Sequence, residues 1–266
     1  ASITQLNNQK IEKFSFKNKA EIDKAINEVK SKQFKINDIS SKVVNRNPSG
    51  PFTTSTLQQV SSGRLGFGAS RTMQIAQKLY QGIEIDGETI GLITYMRTDG
   101  TNLSTDAIDT FRKYIKSEFG EEYVPENAAS YSGKKAKNAQ EAHEAIRPTD
   151  IMRAPNSVKK YLSLDQYKLY DLIWSRALSS QMKPAQFDRN TITISSEDDA
   201  TICKASGSVI KFDGFLKVMK DTNKGDDEDI LPKMNKGPVN IEALLDEQHF
   251  TQPPPRYSEA SLVKKL

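Results

Sequence analysis

Between residues 47 and 51 the chain reads Asn-Pro-Ser-Gly-Pro, and its character changes across those five positions. Two prolines flanking a glycine cannot continue a helix or a central strand. Ahead of this break, Phe14 and Phe16 alternate with polar neighbours and predict a short strand. Asn18 is placed as an N-cap for a helix over about 19–31, and residues 34–45 partly alternate as a strand. Behind the break, helical spacing dominates to about residue 182. From Pro184 onward the strand signals return, at 191–194, 201–205, 209–212, 216–218 and 239–245, with Gly207 and Gly214 as expected turns. The outer stretches look too short to bury a core separately, although three small independent pieces are the alternative. The order therefore predicts an α+β, multidomain chain. A β-rich domain is split over 1–54 and 183–251, and a mainly helical domain is inserted over 55–182. A following domain starts at 252–266, after the proline linker 252–255.

Inside the helical part, residues 54–61 and 70–81 read as two short helices separated at Ser61, Ser62 and Gly63. Such a pair is either a DNA-reading helix-turn-helix or a plain helical hairpin. Residues 84–88 read as a turn. Ser104 caps a helix to about residue 119, and Ser163 caps a long one over 164–182. The aromatics of that long helix, Tyr167, Tyr170 and Trp174, recur at core spacing.

Composition excludes some classes. No apolar run approaches the roughly 20 residues of a membrane span, so no membrane partner is expected. Cys203 is the single cysteine, which rules out an internal disulfide and a multi-cysteine zinc site and fits a reduced, cytoplasmic compartment. The net charge of +4 does not by itself indicate nucleic acid. Lys134, Lys135 and Lys137 cluster ahead of 140–149, whereas Asp226, Asp227, Glu228 and Asp229 form a separate acidic run. The chain opens at Ala1 and stops within the periodic stretch SEASLVKKL, the pattern expected of a fragment of a longer polypeptide.

Four stretches carry residue types with chemistry. The first is GLITYMRTD, 91–99, where a buried strand is expected to deliver Tyr95 and Arg97 to one face. A guanidinium can hold a phosphate through two parallel hydrogen bonds, and its charge favours the nucleophilic phenolate beside it. An ordinary strand end with a solvated arginine is the plainer reading. The second is QEAHEAIRPT, 140–149, which gathers Glu141, His143, Glu144 and Arg147. The zinc-protease pattern fails, because position 147, where the second histidine belongs, is Arg147. If the stretch is helical to Ile146, an imidazole near an arginine suits phosphate binding or proton relay; a structural histidine satisfied by a glutamate is the alternative. The third, PFTTSTLQQ at 51–59, opens a helix with hydroxyls that can cap it or receive an anion. The fourth, FTQPPPRYSEASLV at 250–263, is an extended proline segment leading to a capped helix.

In this order and spacing the four stretches closely resemble the type IA DNA topoisomerases, over nearly the whole chain and most firmly over 51–149 and 250–266. Met96 is similar to the topoisomerase I branch; topoisomerase III-like relatives tend to carry proline there. The resemblance implies that Tyr95 attacks a single-stranded DNA phosphodiester, forming a 5′-phosphotyrosyl bond and releasing a 3′-hydroxyl. Arg97 would hold the scissile phosphate, and His143 would place DNA or move protons in the same site. Arg147, Thr54, Ser55 and Gln58 would support the site and the DNA path. It further implies strand passage through a toroid of which this chain is the arch, relaxation of negative supercoils without ATP, and a monomer acting near the nucleoid. Magnesium would be bound outside this chain, in an acid-rich domain that is missing here, so the segment alone is expected to be inactive. Gly100 departs from the family, which usually has serine there, and is expected to loosen that turn. A non-catalytic nucleic-acid-binding module is the competing function.

Overall fold

The computed structural model describes residues 1–131, 143–219 and 231–265. Glu141, the lysine cluster at 134–137 and the acidic run at 226–229 lie outside the described residues. In chain order the elements are β1 (Ser2–Leu6), β2 (Gln9–Lys10), α1 (Lys19–Lys30), β3 (Phe34–Arg46), α2 (Thr54–Leu65), α3 (Ala69–Gln81), β4 (Ile83–Ile85) and β5 (Glu88–Ile90). They continue with α4 (Thr105–Glu118), α5 (Pro155–Val158), α6 (Leu164–Ser179), β6 (Ala185–Ser196), β7 (Ile202–Phe212), β8 (Gly237–Val239) and α7 (Glu259–Lys265). They fall into two compact units.

The first unit comprises Ala1–Asn45, Gln186–Phe212 and the described part of Asn223–Pro254. Its six-stranded sheet has the order β2-β1-β7-β6-β3-β8. The β1·β2, β1·β7, β6·β7 and β3·β8 pairs are antiparallel. Asn7 and Asn8 both adopt positive φ, which the two central residues of a tight β1–β2 hairpin require. That hairpin was hidden in the sequence because β1 has no clean alternation. The strand expected at Phe14 and Phe16 is absent: the Ser15 hydroxyl accepts a hydrogen bond from the Glu12 amide and folds the segment into a turn. Gly207 is likewise not a turn, since it pairs with Asn190 inside β7. Asn18 caps α1 through the Glu21 amide, and Val29 of α1 packs with Phe34 and Cys203 under Ile3, Leu6 and Ile194. Burial pushes the Cys203 thiol up, away from the reactive thiolate.

The second unit comprises Arg46–Ala185, Asp213–Thr222 and Pro255–Leu266, so far as described. Ser163 opens α6 with a capping box shared with Gln166. Leu169, Tyr170, Leu172, Ile173, Trp174, Ala177 and Leu178 of α6 are all buried, so the helix is enclosed on most sides. Its two polar aromatics are satisfied, Tyr170 Oη by the Arg153 carbonyl (2.8 Å) and Trp174 Nε1 by that of Ile151 (3.0 Å). Both α2 and α3 pack on α6 and on each other. Helix α2 runs through Ser61–Gly63 without a break; Gly66, in the left-handed region, ends it. Helix α3 has no cap of its own and receives one from α7: the Ala69 amide donates to Glu259 Oε2 at 2.8 Å. β4 and β5 form a hairpin whose turn residues, Asp86 and Gly87, both have positive φ. Residues 216–218, expected as strand, belong instead to a 3₁₀ turn over Gly214–Lys217 and its cap.

Candidate active site

The segment carrying Tyr95 is not a ladder strand. β5 ends at Ile90, and from Gly91 onward only Ile93 bridges to another chain segment, at Pro148. The expected alternation survives nonetheless. Tyr95, Arg97 and Asp99 are exposed, while Met96, Thr98 and Gly100 are buried between them. The extended backbone puts the phenol and the guanidinium on one face, as residue spacing requires. What replaces the ladder is a set of side-chain staples. Thr54, at the first position of α2, has its Oγ1 2.8 Å from the Met96 carbonyl and 3.1 Å from that of Thr98, and it accepts from the Thr98 amide at 2.8 Å. The Thr54 amide donates in turn to the Thr98 carbonyl (2.8 Å). Arg97 is thus held on both sides by the helix start.

His143 lies on an extended segment rather than on a helix. Ile146 pairs with Phe52 and donates to its carbonyl at 2.8 Å, and Ala145 donates to Asn102 (2.9 Å). These backbone bonds replace the helical ones that Pro148 would in any case have weakened. Thr98 Oγ1 donates to the His143 carbonyl (3.1 Å), bringing the two segments together. Arg97, Thr98, Asp99 and His143 then line, with Thr53, Thr54 and Ser55 of the α2 start, a cleft of about 420 Å³. Tyr95 stands beside it: its ring meets His143 edge-on at 5.7 Å between centroids and Tyr80 at 5.3 Å. Among the described residues Arg97 has no ion-pair partner, so its donors face the cleft unspent. The positive end of the α2 dipole adds to that charge.

Of the sequence-predicted site residues, the structure brings Tyr95, Arg97, His143, Thr54 and Ser55 together. Gln58 is half-buried one turn along α2 and does not line the cleft. Arg147 is clamped: its Nη2 and Nε lie 2.7 and 2.8 Å from Glu144 Oε2, and its Nη1 donates to the Pro148 carbonyl. Glu144 Oε1 also accepts from the Ser104 amide (2.7 Å) at the start of α4. Burial alone would raise the Glu144 carboxyl, but the Ser104 and Arg147 contacts outweigh it and hold it below its ordinary value. A depressed carboxyl adds stability above pH 4.5, its ordinary value, and loses it as pH falls through the lower folded value. Glu144→Gln is therefore expected to lower the neutral-pH melting temperature and to flatten its acid dependence; unchanged dependence in thermal melts at pH 3 to 7 would refute the clamp.

Three site residues escaped sequence reasoning. Asp99 was passed over within the GLITYMRTD stretch, Tyr80 sits on a neighbouring helix, and Thr53 read only as part of a helix start. Gly100 also acquires a role. A Cβ built there would overlap the His143 carbonyl oxygen, so glycine permits close approach rather than loosening a turn. Gly100→Ser is expected to push the 143 segment away and cost about 1–3 kcal/mol, read as a lower melting temperature.

Comparison with known proteins establishes the family. The family model described as DNA topoisomerase matches residues 1–266. DNA topoisomerase 1 of Rickettsia bellii is 48% identical over 270 residues, covering 100% of this chain and 34% of that protein. DNA topoisomerase 1 of Campylobacter jejuni is 43% identical over 267 residues, with 100% and 37% covered. Among solved structures, full-length topoisomerase I from Thermotoga maritima superposes with a TM-score of 0.77 at 37% identity, covering 96% of this chain and 40% of that one. The chain thus spans about a third of the length of the curated relatives it matches. Matched along every residue by both the family model and these relatives, the chain belongs to the DNA topoisomerase family.

Proposed function

We propose that this chain is the tyrosine-bearing segment of a type IA topoisomerase, an isomerase that cuts and reseals one DNA strand through Tyr95. The observation that carries the reading is the convergence of Tyr95, Arg97 and His143 on a cleft floored by the α2 N-terminus. Tyr95 Oη attacks the phosphorus of a single-stranded backbone; the P–O3′ bond breaks, leaving a 5′-phosphotyrosyl bond and a 3′-hydroxyl. The phenol gives up its proton and the departing 3′ oxygen takes one, with His143 beside Tyr95 as the group that passes or orients them. Arg97 pairs with the phosphate oxygens as charge builds on them. Because the phosphotyrosine conserves the bond energy, resealing needs no ATP. Passage of the second strand changes linking number by one and relaxes negative supercoils.

The two units are read here as the arch of the toroid. The sheet unit is the split β-rich domain and the other is the inserted helical domain, and 252–266, whose α7 packs on α2 of that unit, leads into the next. Among the described residues no three His, Cys, Asp or Glu side chains stand together as metal ligands. In the cleft, His143 and Asp99 share space with a guanidinium that repels cations. These residues do not fit magnesium, which belongs in this proposal to another part of the polypeptide, and no step here runs through it. The partner is single-stranded DNA, the protein acts as a monomer at the nucleoid, and the isolated chain is inactive. No helix among the described residues is long and apolar enough to cross a membrane.

The test is adduct mapping. The full-length polypeptide, trapped on a labelled single strand and digested, is expected to carry the nucleotide on the peptide containing Tyr95. The isolated chain is expected to leave a supercoiled plasmid unrelaxed with magnesium present. Label on another residue would refute the nucleophile, and relaxation by the isolated chain would refute the divided site.

A further inference from the structure

We propose that Tyr80 is a positioning residue for Tyr95, forming with His143 a two-sided aromatic slot that sets the direction of the phenol; this rests on the reading of Tyr95 as the nucleophile. Tyr80 occupies the last turn of α3. Its ring centroid lies 5.3 Å from that of Tyr95 at 64° between planes, and on His143 the corresponding values are 5.7 Å and 66°. Both are edge contacts, the geometry that aromatic quadrupoles favour over face-to-face stacking. Tyr95 is 37% exposed, so its ring would otherwise turn among rotamers, and a mobile nucleophile loses the advantage of alignment.

The backbone is built to bring these rings together. The Leu92 amide donates to the Leu79 carbonyl at 2.8 Å, tying the end of α3 to the segment that leads into Tyr95. A Cβ on Gly91 would stand 2.7 Å from the Tyr80 carbonyl oxygen, so a side chain at 91 would force the two segments apart. Tyr80 is itself 40% exposed, which leaves the core little dependent on it. A large aromatic kept at a surface position, against one other exposed aromatic, is better explained by what it holds than by what it buries.

The experiment uses the full-length polypeptide, single-turnover cleavage of a single-stranded oligonucleotide, and a separate measurement of oligonucleotide affinity. Tyr80→Ala is expected to lower the cleavage rate about tenfold with affinity within about twofold. Tyr80→Phe, which keeps the ring, is expected to restore the rate. Tyr80→Leu, which keeps bulk without a ring, should remain slow, and it decides the matter if Tyr80→Ala fails to fold. A wild-type rate in Tyr80→Ala or Tyr80→Leu overturns the slot, as does a Tyr80→Phe protein as slow as Tyr80→Ala. Tyr95→Phe in the same assay separates the two readings. Adducts from it overturn the nucleophile itself, whereas their absence beside a wild-type rate in Tyr80→Ala overturns the slot alone.

Discussion

Tyr95→Phe in the full-length polypeptide is expected to abolish covalent DNA adducts while leaving non-covalent binding of single strands largely intact. The substitution removes one oxygen and keeps the ring, so the edge contacts to Tyr80 and His143 remain. Because Tyr95 lies at the surface, the change leaves no buried group unpaired and creates no cavity. Melting temperature should therefore stay near that of the parent protein. In the proposed reading, binding depends on Arg97, the α2 N-terminus and the wider path, none of which the change touches. Adducts measured after detergent quench should fall below detection, and trapped 5′-phosphate ends in this variant would place the nucleophile elsewhere.

Thr54→Val is expected to lower the cleavage rate about 100-fold, through Arg97 rather than through DNA contact. The Thr54 hydroxyl holds the main chain on both sides of Arg97, at Met96 and Thr98. Valine keeps the shape and removes the hydroxyl, leaving the Thr98 amide without its acceptor at a buried position. An orphaned buried donor costs about 1–3 kcal/mol. The larger consequence is loss of alignment: a shift of roughly 1 Å at a phosphate-holding group can cost about 100-fold in rate. Thr54→Ser restores the hydroxyl and should recover most of both effects. A Thr54→Val protein with parental cleavage rate would show that the α2 start does not position Arg97.

Elements with local signals were legible from sequence. Asn18, Ser104 and Ser163 each cap a helix through a backbone amide three residues on, a contact spelled out within four positions of sequence. The alternation around Tyr95 was legible for the same reason, although the ladder expected to enforce it is replaced by Thr54, 41 positions earlier in the chain. Elements set by distant partners were not. Gly207 has the composition of a turn, but ten residue pairs between β6 and β7 override its preference. Phe14 and Phe16 have the period of a strand, and no neighbouring strand takes them. In the site, Arg147 read as a support for the DNA path, whereas its guanidinium is taken up by Glu144, a partner that the i,i+3 spacing permits and the sequence does not demand. Tyr80 lies inside the stretch 70–81 read as a helix, and nothing in that stretch reveals the ring it meets.

The pairing of β1 with β7 sets a timetable for synthesis. Thr4 and Ile202, joined by a hydrogen bond, are 198 positions apart. At a translation rate of about 5–20 residues per second, β1 is synthesised roughly 10–40 s before its partner exists. Its unpaired edge and the apolar side chains of Ile3 and Leu6 stay open meanwhile, a state in which chaperones bind and wrong strands pair. The β1 edge of the sheet thus cannot close until β7 has been made, whatever the helices between them have already done.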